Sequence, residues 1–516
     1  MNKSGNRLRA NPRQGHLTTA LDPPVNGESR STLKILVVIA SYGVGNDRYL
    51  SQLLQEYRSM PFQVDIVVLS NIKKEVGPGA ELVVELPKNG WTLPFSHKKI
   101  FAQRLNDYDL FIYSEDDTLI TEKNLAAFLT VSKVLPENAI VGFIRVERGQ
   151  NGAVSYPEVH GHFHWESESV QSIGDYHFAR FTNEHSACYV ITREQLRRAI
   201  ESGGFLPERW DGKYDLICTA ATDPYTQCGF SKMVCISHLE DFLVHHLSDK
   251  YTGKDFGVGG PEMQRQVEAL LRIGRNGHRP ASLFRTETKL RGALYSKGYY
   301  EPVRPEIIAA IPAGVRSVLS VGCGWGATEA RLAEQGMKVT AVPIDTVIPG
   351  GAEAGGVEIV GGTFEIARGK LAGRQFDCLL VSSILHLLED PTTVLASFAQ
   401  LLSPGSVAII LVPNLLRFKL TYDVAKKVAS YSRVPLPIIC MKMRGDKSFE
   451  RLGDFETTGV HTISRRILRD WSNAAGLRLE RTIELLPQRA RTASRLTLGL
   501  LDRVLASEII AVAKRT

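Results

Sequence analysis

The sequence predicts an α/β protein built as two domains in tandem, and two observations carry that prediction. Continuous apolar runs suited to central parallel strands alternate with stretches of helical spacing, once over the first half of the chain and again over the second. Between the two series, from about residue 250 to 290, the texture turns polar and loop-like. At 516 residues the chain is long enough for two or three separate cores. The expected division is a disordered tail over 1–31, a first domain over 32–250, a linker with a helix over 251–293, and a second domain over 294–516.

The first series opens with LKILVVIASYG, Leu33 to Gly43, a strand ending in small residues. DRYLSQLLQEYRSM has helical spacing, and QVDIVVLSN, AELVVEL and YDLFIYSEDD read as the next strands. After YTGKDFGVGGPE, the stretch MQRQVEALLRIGRNGHRP reads as one basic helix with a stop. The second series is RSVLSVGCGWG, MKVTAVPID, VEIVGG, FDCLLVSS, GSVAIILVPN and ASEIIAVAKR. Alternating strands and helices imply a layered sheet whose ligand site lies at the carboxyl ends of its strands.

Composition bounds the function. Charged residues make up 23% and hydrophobic ones 43%, the profile of a soluble globular protein. A net charge of +7 is too diffuse to argue for nucleic acid, and it suits anionic small molecules or an anionic membrane surface. No apolar run reaches the roughly 18 residues of a spanning helix. The first residues are polar and lack the apolar middle of a signal peptide, so a cytoplasmic protein is expected. The seven cysteines form no CxxC pair and no zinc spacing, and read as free thiols.

Two strand ends are chemically unusual. In the first, LFIY runs into Glu115, Asp116 and Asp117. An ionised carboxylate there needs a hydrogen-bond donor or a metal. Two carboxylates at i and i+2 on a turn can face one cavity and hold Mg²⁺ or Mn²⁺, which keep positions open for substrate phosphates. A solvated turn capping a helix near Thr121 is the plainer alternative, but three acids exceed what a cap requires. The residues resemble the DxD-type motif of GT-A glycosyltransferases, over about residues 33 to 250. That resemblance implies a GT-A-like mixed sheet and a nucleotide-sugar donor held by Ser41, Tyr42, Glu115 and Asp116. It also implies a metal on Asp117, with His246 or its neighbour His245 completing the shell. FTNEHSACYVITREQL resembles the acceptor-side segment of such enzymes, where Glu184 or His185 is the candidate general base. The histidines of GHFHW and HLEDFLVHHL lack the HExxH spacing of a zinc helix.

In the second, VLSV meets Gly322, Gly324 and Gly326 before a helix. Glycines there allow a tight turn and close approach of a ligand to the backbone. The spacing is G-x-G-x-G rather than the dinucleotide G-x-G-x-x-G. It resembles motif I of class I S-adenosylmethionine-dependent methyltransferases, and the resemblance continues in order through FDCLLVSSILHLLEDP and LSPGS to about residue 514. It implies a Rossmann-like seven-stranded sheet with S-adenosyl-L-methionine on Val321, Gly322, Cys323, Gly324, Gly326 and Ser382. Pro343 stands where the family has a ribose-binding acid, leaving Asp345 to substitute. Thr363 and Phe364 replace the acid near the adenine, with Phe364 as a stacking candidate. His386 is the candidate base or acceptor contact, ahead of His461.

The function expected from these readings is a bifunctional transferase. An S-adenosylmethionine-dependent methyltransferase, acting on a sugar or related hydroxyl, is fused to a metal-dependent glycosyltransferase with a glycan or glycolipid acceptor. The alternative is a methyltransferase with a non-catalytic, glycan-recognising N-terminal module. The stretch Gln264 to Arg279 reads as an interdomain helix, with peripheral membrane contact as its other use.

Overall fold

The computed structural model describes residues 33–415 and 454–516, apart from 88, 151, 159–162, 207–212, 254–256 and 499–501. The expected tail, Cys440, and Gly161 and His162 of GHFHW lie outside the described residues. The strands of the first half are β1 (Lys34–Ser41), β2 (Gln63–Ser70), β3 (Ala80–Val84), β4 (Leu110–Glu115), β5 (Thr118–Leu119), β6 (Ala139–Val141) and β7 (Ile144–Arg148). They continue as β8 (Val154–Tyr156), β9 (Trp165–Ile173), β10 (Tyr176–Phe181), β11 (Cys188–Thr192), β12 (Ser231–Cys235), β13 (Leu243–His246) and β14 (Val258–Gly259). The second half holds β15 (Ser317–Cys323), β16 (Lys338–Pro343), β17 (Glu358–Ile359), β18 (Phe376–Ser382), β19 (Leu402–Pro413), β20 (Leu477–Leu485) and β21 (Glu508–Arg515).

The first sheet has the order β11-β4-β1-β2-β3. β1 to β4 pair in parallel and β11 closes the edge antiparallel to β4. The centre of β1 is buried on both faces because its apolar run leaves no polar side to expose. Two smaller sheets follow, β6-β12-β10-β9 and β14-β8-β7-β13-β5. The antiparallel pairing of β13 with β5 sets His246 opposite Thr118 and so brings His246 beside the acidic triplet. The second half forms one sheet, β17-β16-β15-β18-β19-β21-β20, parallel except for β21, which runs antiparallel to both neighbours.

The basic stretch forms a helix over Gly260–Asn276, with Pro261 in its first turn and Gly277 in the left-handed conformation at its end. Met263, Val267, Leu270 and Leu271 are buried in one core with Trp165, Val170 and Val234. This helix is therefore part of the first half rather than of a free linker. On its flank the Arg265 guanidinium donates to the carbonyls of Val347 and Ile348, both at 2.9 Å, and so joins the halves. Six cysteines are free thiols, five of them buried, among the described residues.

Two buried charges give direct tests of this packing. Lys98, on the helix Ser96–Gln103, pairs with Asp223, on the helix Leu216–Thr226, and each side chain is 2% exposed. Lys98→Met alone leaves Asp223 uncompensated and is expected to lower stability by about 3–5 kcal/mol, whereas adding Asp223→Leu should recover most of it. Urea denaturation followed by tryptophan fluorescence reads both variants. Glu158, which accepts from Asn183 Nδ2, is pushed from 4.5 up to about 8 by burial, against the charges of Arg145 and Lys232. Its folded value lies above its unfolded one, so its contribution to stability is complete below about pH 4.5 and lost as pH rises through about 8. Wild type is expected to lose more stability than Glu158→Gln across that window in denaturation series run at successive pH values.

Candidate functional site

β1 and β4 lie in register with Ala40 opposite Glu115, so Ser41 and the acidic triplet leave the first sheet side by side. Ser41 Oγ donates to one carboxylate oxygen of Asp116 at 2.6 Å, and Asn46 Nδ2 donates to the other at 2.7 Å. Lys74 Nζ donates to Ser41 Oγ at 2.9 Å and to Asp47 at 2.7 Å. This knot floors a cleft of about 510 Å³ that includes Tyr42, Trp91, Glu115 and Asp116 in its walls. Tyr42 and Trp91 are 62% and 57% exposed, and they present flat apolar faces beside the acids. A Cβ on Gly90 would fall 2.6 Å from the Tyr42 ring, so glycine there lets that ring rest on the backbone. Burial raises Asp116 against the hydrogen bonds of Ser41 and Asn46, and burial with the Asp117 charge raises Glu115 to about 8 against Arg145.

Asp117 is held by a different set of partners. Its Oδ2 lies 3.1 Å from His246 Nε2, and His246 Nδ1 lies 2.6 Å from Glu147 Oε1. Glu147 is fixed in turn by the Tyr251 N–H at 2.9 Å and the Thr252 hydroxyl at 3.0 Å. Burial is the largest influence on Asp117 and pushes it up, but His246, Lys250 and Ser248 together bring the net shift downward. Among the described residues no group of three or more His, Cys, Asp or Glu side chains stands ready to hold a metal. Asp117 and His246 nevertheless fit a two-donor site. Their separation is that of neighbouring ligands about 2.1 Å from one ion, and Glu147 behind the imidazole is the partner such a histidine uses.

In the segment FTNEHSACYVITREQL, His185 is buried with Nε2 3.7 Å from Glu115 Oε1. Glu184 is engaged by the Tyr214 hydroxyl and by Lys213 at 3.3 Å.

In the second half, Val321 and Cys323 are buried strand residues, and Gly322 and Gly326 adopt φ of +85° and +79°. Each glycine face is met by the protein itself. An added Cβ would lie 2.5 Å from Ile384 at Gly322, 2.0 Å from the Tyr299 carbonyl oxygen at Gly324 and 2.7 Å from Ala352 at Gly326. The Trp325 N–H donates to that same Tyr299 oxygen at 2.8 Å, and its indole N–H donates to the Glu301 carbonyl at 2.6 Å. The Lys297 ammonium, 1% exposed, donates to the Ser382 carbonyl at 2.9 Å and pairs with Glu301 at 2.6 Å. Residues 295–301 thus lie tied across the glycine turn. The cavity left beside it is about 20 Å³, room for about one water.

The remaining expected residues are placed differently from the sequence reading. Asp345 is turned back on its own chain, accepting from the Val347 and Ile348 N–H groups at 2.7 and 2.9 Å. Its other oxygen is buried without a hydrogen bond, and burial raises the carboxyl to about 6 against those two N–H groups. Thr363 caps the helix Phe364–Lys370, and the half-buried Phe364 stacks on Phe284 with ring centroids 5.7 Å apart. His386 is buried with Nε2 2.8 Å from the Tyr295 carbonyl, and burial lowers it to about 4. It anchors the covering segment and does not stand as an accessible base. His461 Nε2 lies 2.8 Å from the Leu388 carbonyl. Sequence reasoning missed Asn46, Lys74, Trp91, Glu147, Lys297 and Tyr299. Trp91, after Asn89-Gly90, carried a turn signal; the others carried none, because their partners are distant in the chain.

Comparison with known proteins bears on the second half. Residues 281–482 match the family model described as a methyltransferase domain. Uncharacterized methyltransferases of Mycobacterium tuberculosis (strain H37Rv) and Mycobacterium bovis are each 34% identical over 104 residues, 20% of this chain and 53% of the relative. The chain thus spans about half the length of the curated relatives it matches. Solved structures that resemble it include an S-adenosylmethionine-dependent methyltransferase from Mesorhizobium loti, 18% identical over 41% of this chain and 96% of that one, TM-score 0.28. The N-methyltransferase NodS from Bradyrhizobium japonicum, solved with S-adenosyl-L-homocysteine, is 14% identical over 41% and 84%, TM-score 0.26. The carboxy-terminal region of this chain has a methyltransferase domain.

Proposed function

We propose that the chain is a transferase with two donor sites. The carboxy-terminal domain is an S-adenosylmethionine-dependent methyltransferase, and the first half is a metal-dependent glycosyltransferase using a nucleotide-sugar. The product is a methylated surface glycan or glycolipid made in the cytoplasm. The observation that carries the first-half reading is the cleft where exposed Tyr42 and Trp91 meet Glu115 and Asp116, with the Asp117–His246–Glu147 chain beside it. The rings suit a nucleotide base, and Ser41, Asn46 and Lys74 fix the carboxylate of Asp116. Asp117 and His246 would hold Mn²⁺ or Mg²⁺, which neutralises charge on a departing diphosphate. His185 orients or relieves Glu115 of its proton.

For the second half, the family match and the glycine turn support methyl transfer. The covering segment must lift before a cofactor can approach the backbone of Gly322 to Gly326. A second reading, with the first half as a glycan-recognising module, is favoured by one observation: Glu184 is already held by Tyr214 and Lys213.

Two experiments test these readings. In thermal-shift titrations, uridine- or guanosine-diphosphate sugars with Mn²⁺ are expected to raise the melting temperature by several degrees, since ligand at 100 times its Kd contributes about 2.7 kcal/mol. Asp117→Ala should abolish the Mn²⁺-dependent part and leave any S-adenosylhomocysteine-dependent shift intact. An undiminished Mn²⁺ effect in that variant removes the metal assignment, and no nucleotide-sugar effect in wild type leaves the recognition-module reading. Lys297→Ala, which frees the Ser382 carbonyl and loosens the cover, should tighten S-adenosylhomocysteine binding about tenfold by calorimetry, because affinity scales with the competent fraction. Equal affinities would show that the segment does not compete with cofactor.

A further inference from the structure

We propose that the cleft between the two halves is a binding site for a hydroxyl-rich ligand, a carbohydrate acceptor. It is a cavity of about 520 Å³ whose walls come from both halves, β9 and β10 on one side and residues 282–288 with Tyr299 on the other. That volume lies within the range of small-molecule clefts, about 300–1,000 Å³.

The lining chemistry selects the ligand. Glu166 and Arg180 pair at 3.2 Å yet remain 35% and 42% exposed, so each keeps hydrogen-bonding capacity directed to the cleft. A carboxylate accepts at several positions and a guanidinium donates five N–H groups, a set that hydroxyls, being both donors and acceptors, can satisfy together. The His164 ring lies flat on the buried Tyr299 ring, with centroids 3.7 Å apart and planes 9° apart, so the half-buried imidazole is held as a flat aromatic step in the wall. Such a step suits the C–H face of a pyranose ring. The other lining groups are mostly polar, which disfavours an acyl chain. The carboxylates of Glu166, Glu168 and Glu287 outnumber the guanidiniums of Arg180 and Arg285, which disfavours a phosphate.

The position of the cleft relates it to both candidate centres. Lys213 bridges Glu287 of the cleft wall at 3.1 Å and Glu184 of the acceptor-side segment at 3.3 Å. Tyr299 backs the cleft wall beneath His164 and sets its carbonyl on the glycine turn. A sugar bound here would touch the segment that covers the turn and lie next to the carboxylate of the first half. This inference rests on the reading of the chain as glycan-active.

The test uses the full chain and a panel of methyl hexopyranosides and disaccharides, with binding read by saturation-transfer NMR and calorimetry. At least one panel member is expected to bind wild type, and Glu166→Gln and Arg180→Ala should each weaken it at least tenfold. Both variants should retain the wild-type circular dichroism spectrum and the nucleotide-sugar shift of the first cleft. The inference is overturned if no panel member binds wild type, or if both variants bind as wild type does. It is also overturned if inorganic phosphate, rather than a sugar, is the probe whose binding Arg180→Ala removes. If nucleotide-sugars bind but the sugars do not, only the cleft assignment fails. If the sugars bind and respond to Glu166→Gln while no nucleotide-sugar binds, the glycosyltransferase reading fails and the cleft stands.

Discussion

Taking a carboxylate out of water costs several kcal/mol unless donors or an opposite charge replace the lost hydration. The first half buries Asp116 and Asp117 and half-buries Glu115 beside them, and much of its architecture around β4 follows from satisfying them. Asp116 draws Ser41 and Asn46 onto its two oxygens, which ties the end of β1 to the start of the helix Asp47–Ser59. Asp117 draws His246 from β13, which draws Glu147 from β7, so one acid fixes the contact between two sheets. Glu115, with His185 at 3.7 Å, is the least well compensated, and burial holds its proton to about pH 8.

The second half shows the same economy of contact in backbone form. A turn without side chains lets another chain approach closely, and here residues 295–301 make that approach. Lys297 sets a cation against the Ser382 carbonyl, and Tyr299 sets a carbonyl against the Trp325 N–H. A turn able to accept a ligand's polar groups is equally able to accept the protein's own. In the proposed function, opening that contact exchanges one ion pair and several hydrogen bonds for those of a ligand, and cover and cofactor then compete for one surface.

The helix Gly260–Asn276 and residues 282–301 make the two halves one unit. The helix is buried in the core of the first half while Arg265 grips carbonyls of the second. The following segment walls the interdomain cleft with one face and covers the glycine turn with the other. A ligand between the halves therefore meets the element that closes the methyltransferase turn.

The sequence by itself determined the α/β texture of both halves, the two strand ends where chemistry concentrates, and the glycine turn. These are local: apolar runs fix strands, and glycine fixes a turn through its own φ. The nearness of Asp117 to His246 was also legible, but only through resemblance, since 129 residues separate them. Tertiary structure decided the rest. It turned Asp345 onto Val347 and Ile348, spent Phe364 on Phe284, buried His386 under Tyr295, and laid Lys297 over the turn. Apart from the local turn at Asp345, each outcome depends on which distant group packs against a buried polar atom or an apolar face, because desolvation makes an unpaired group costly. Sequence spacing records the groups on offer; only the packed chain records which of them met.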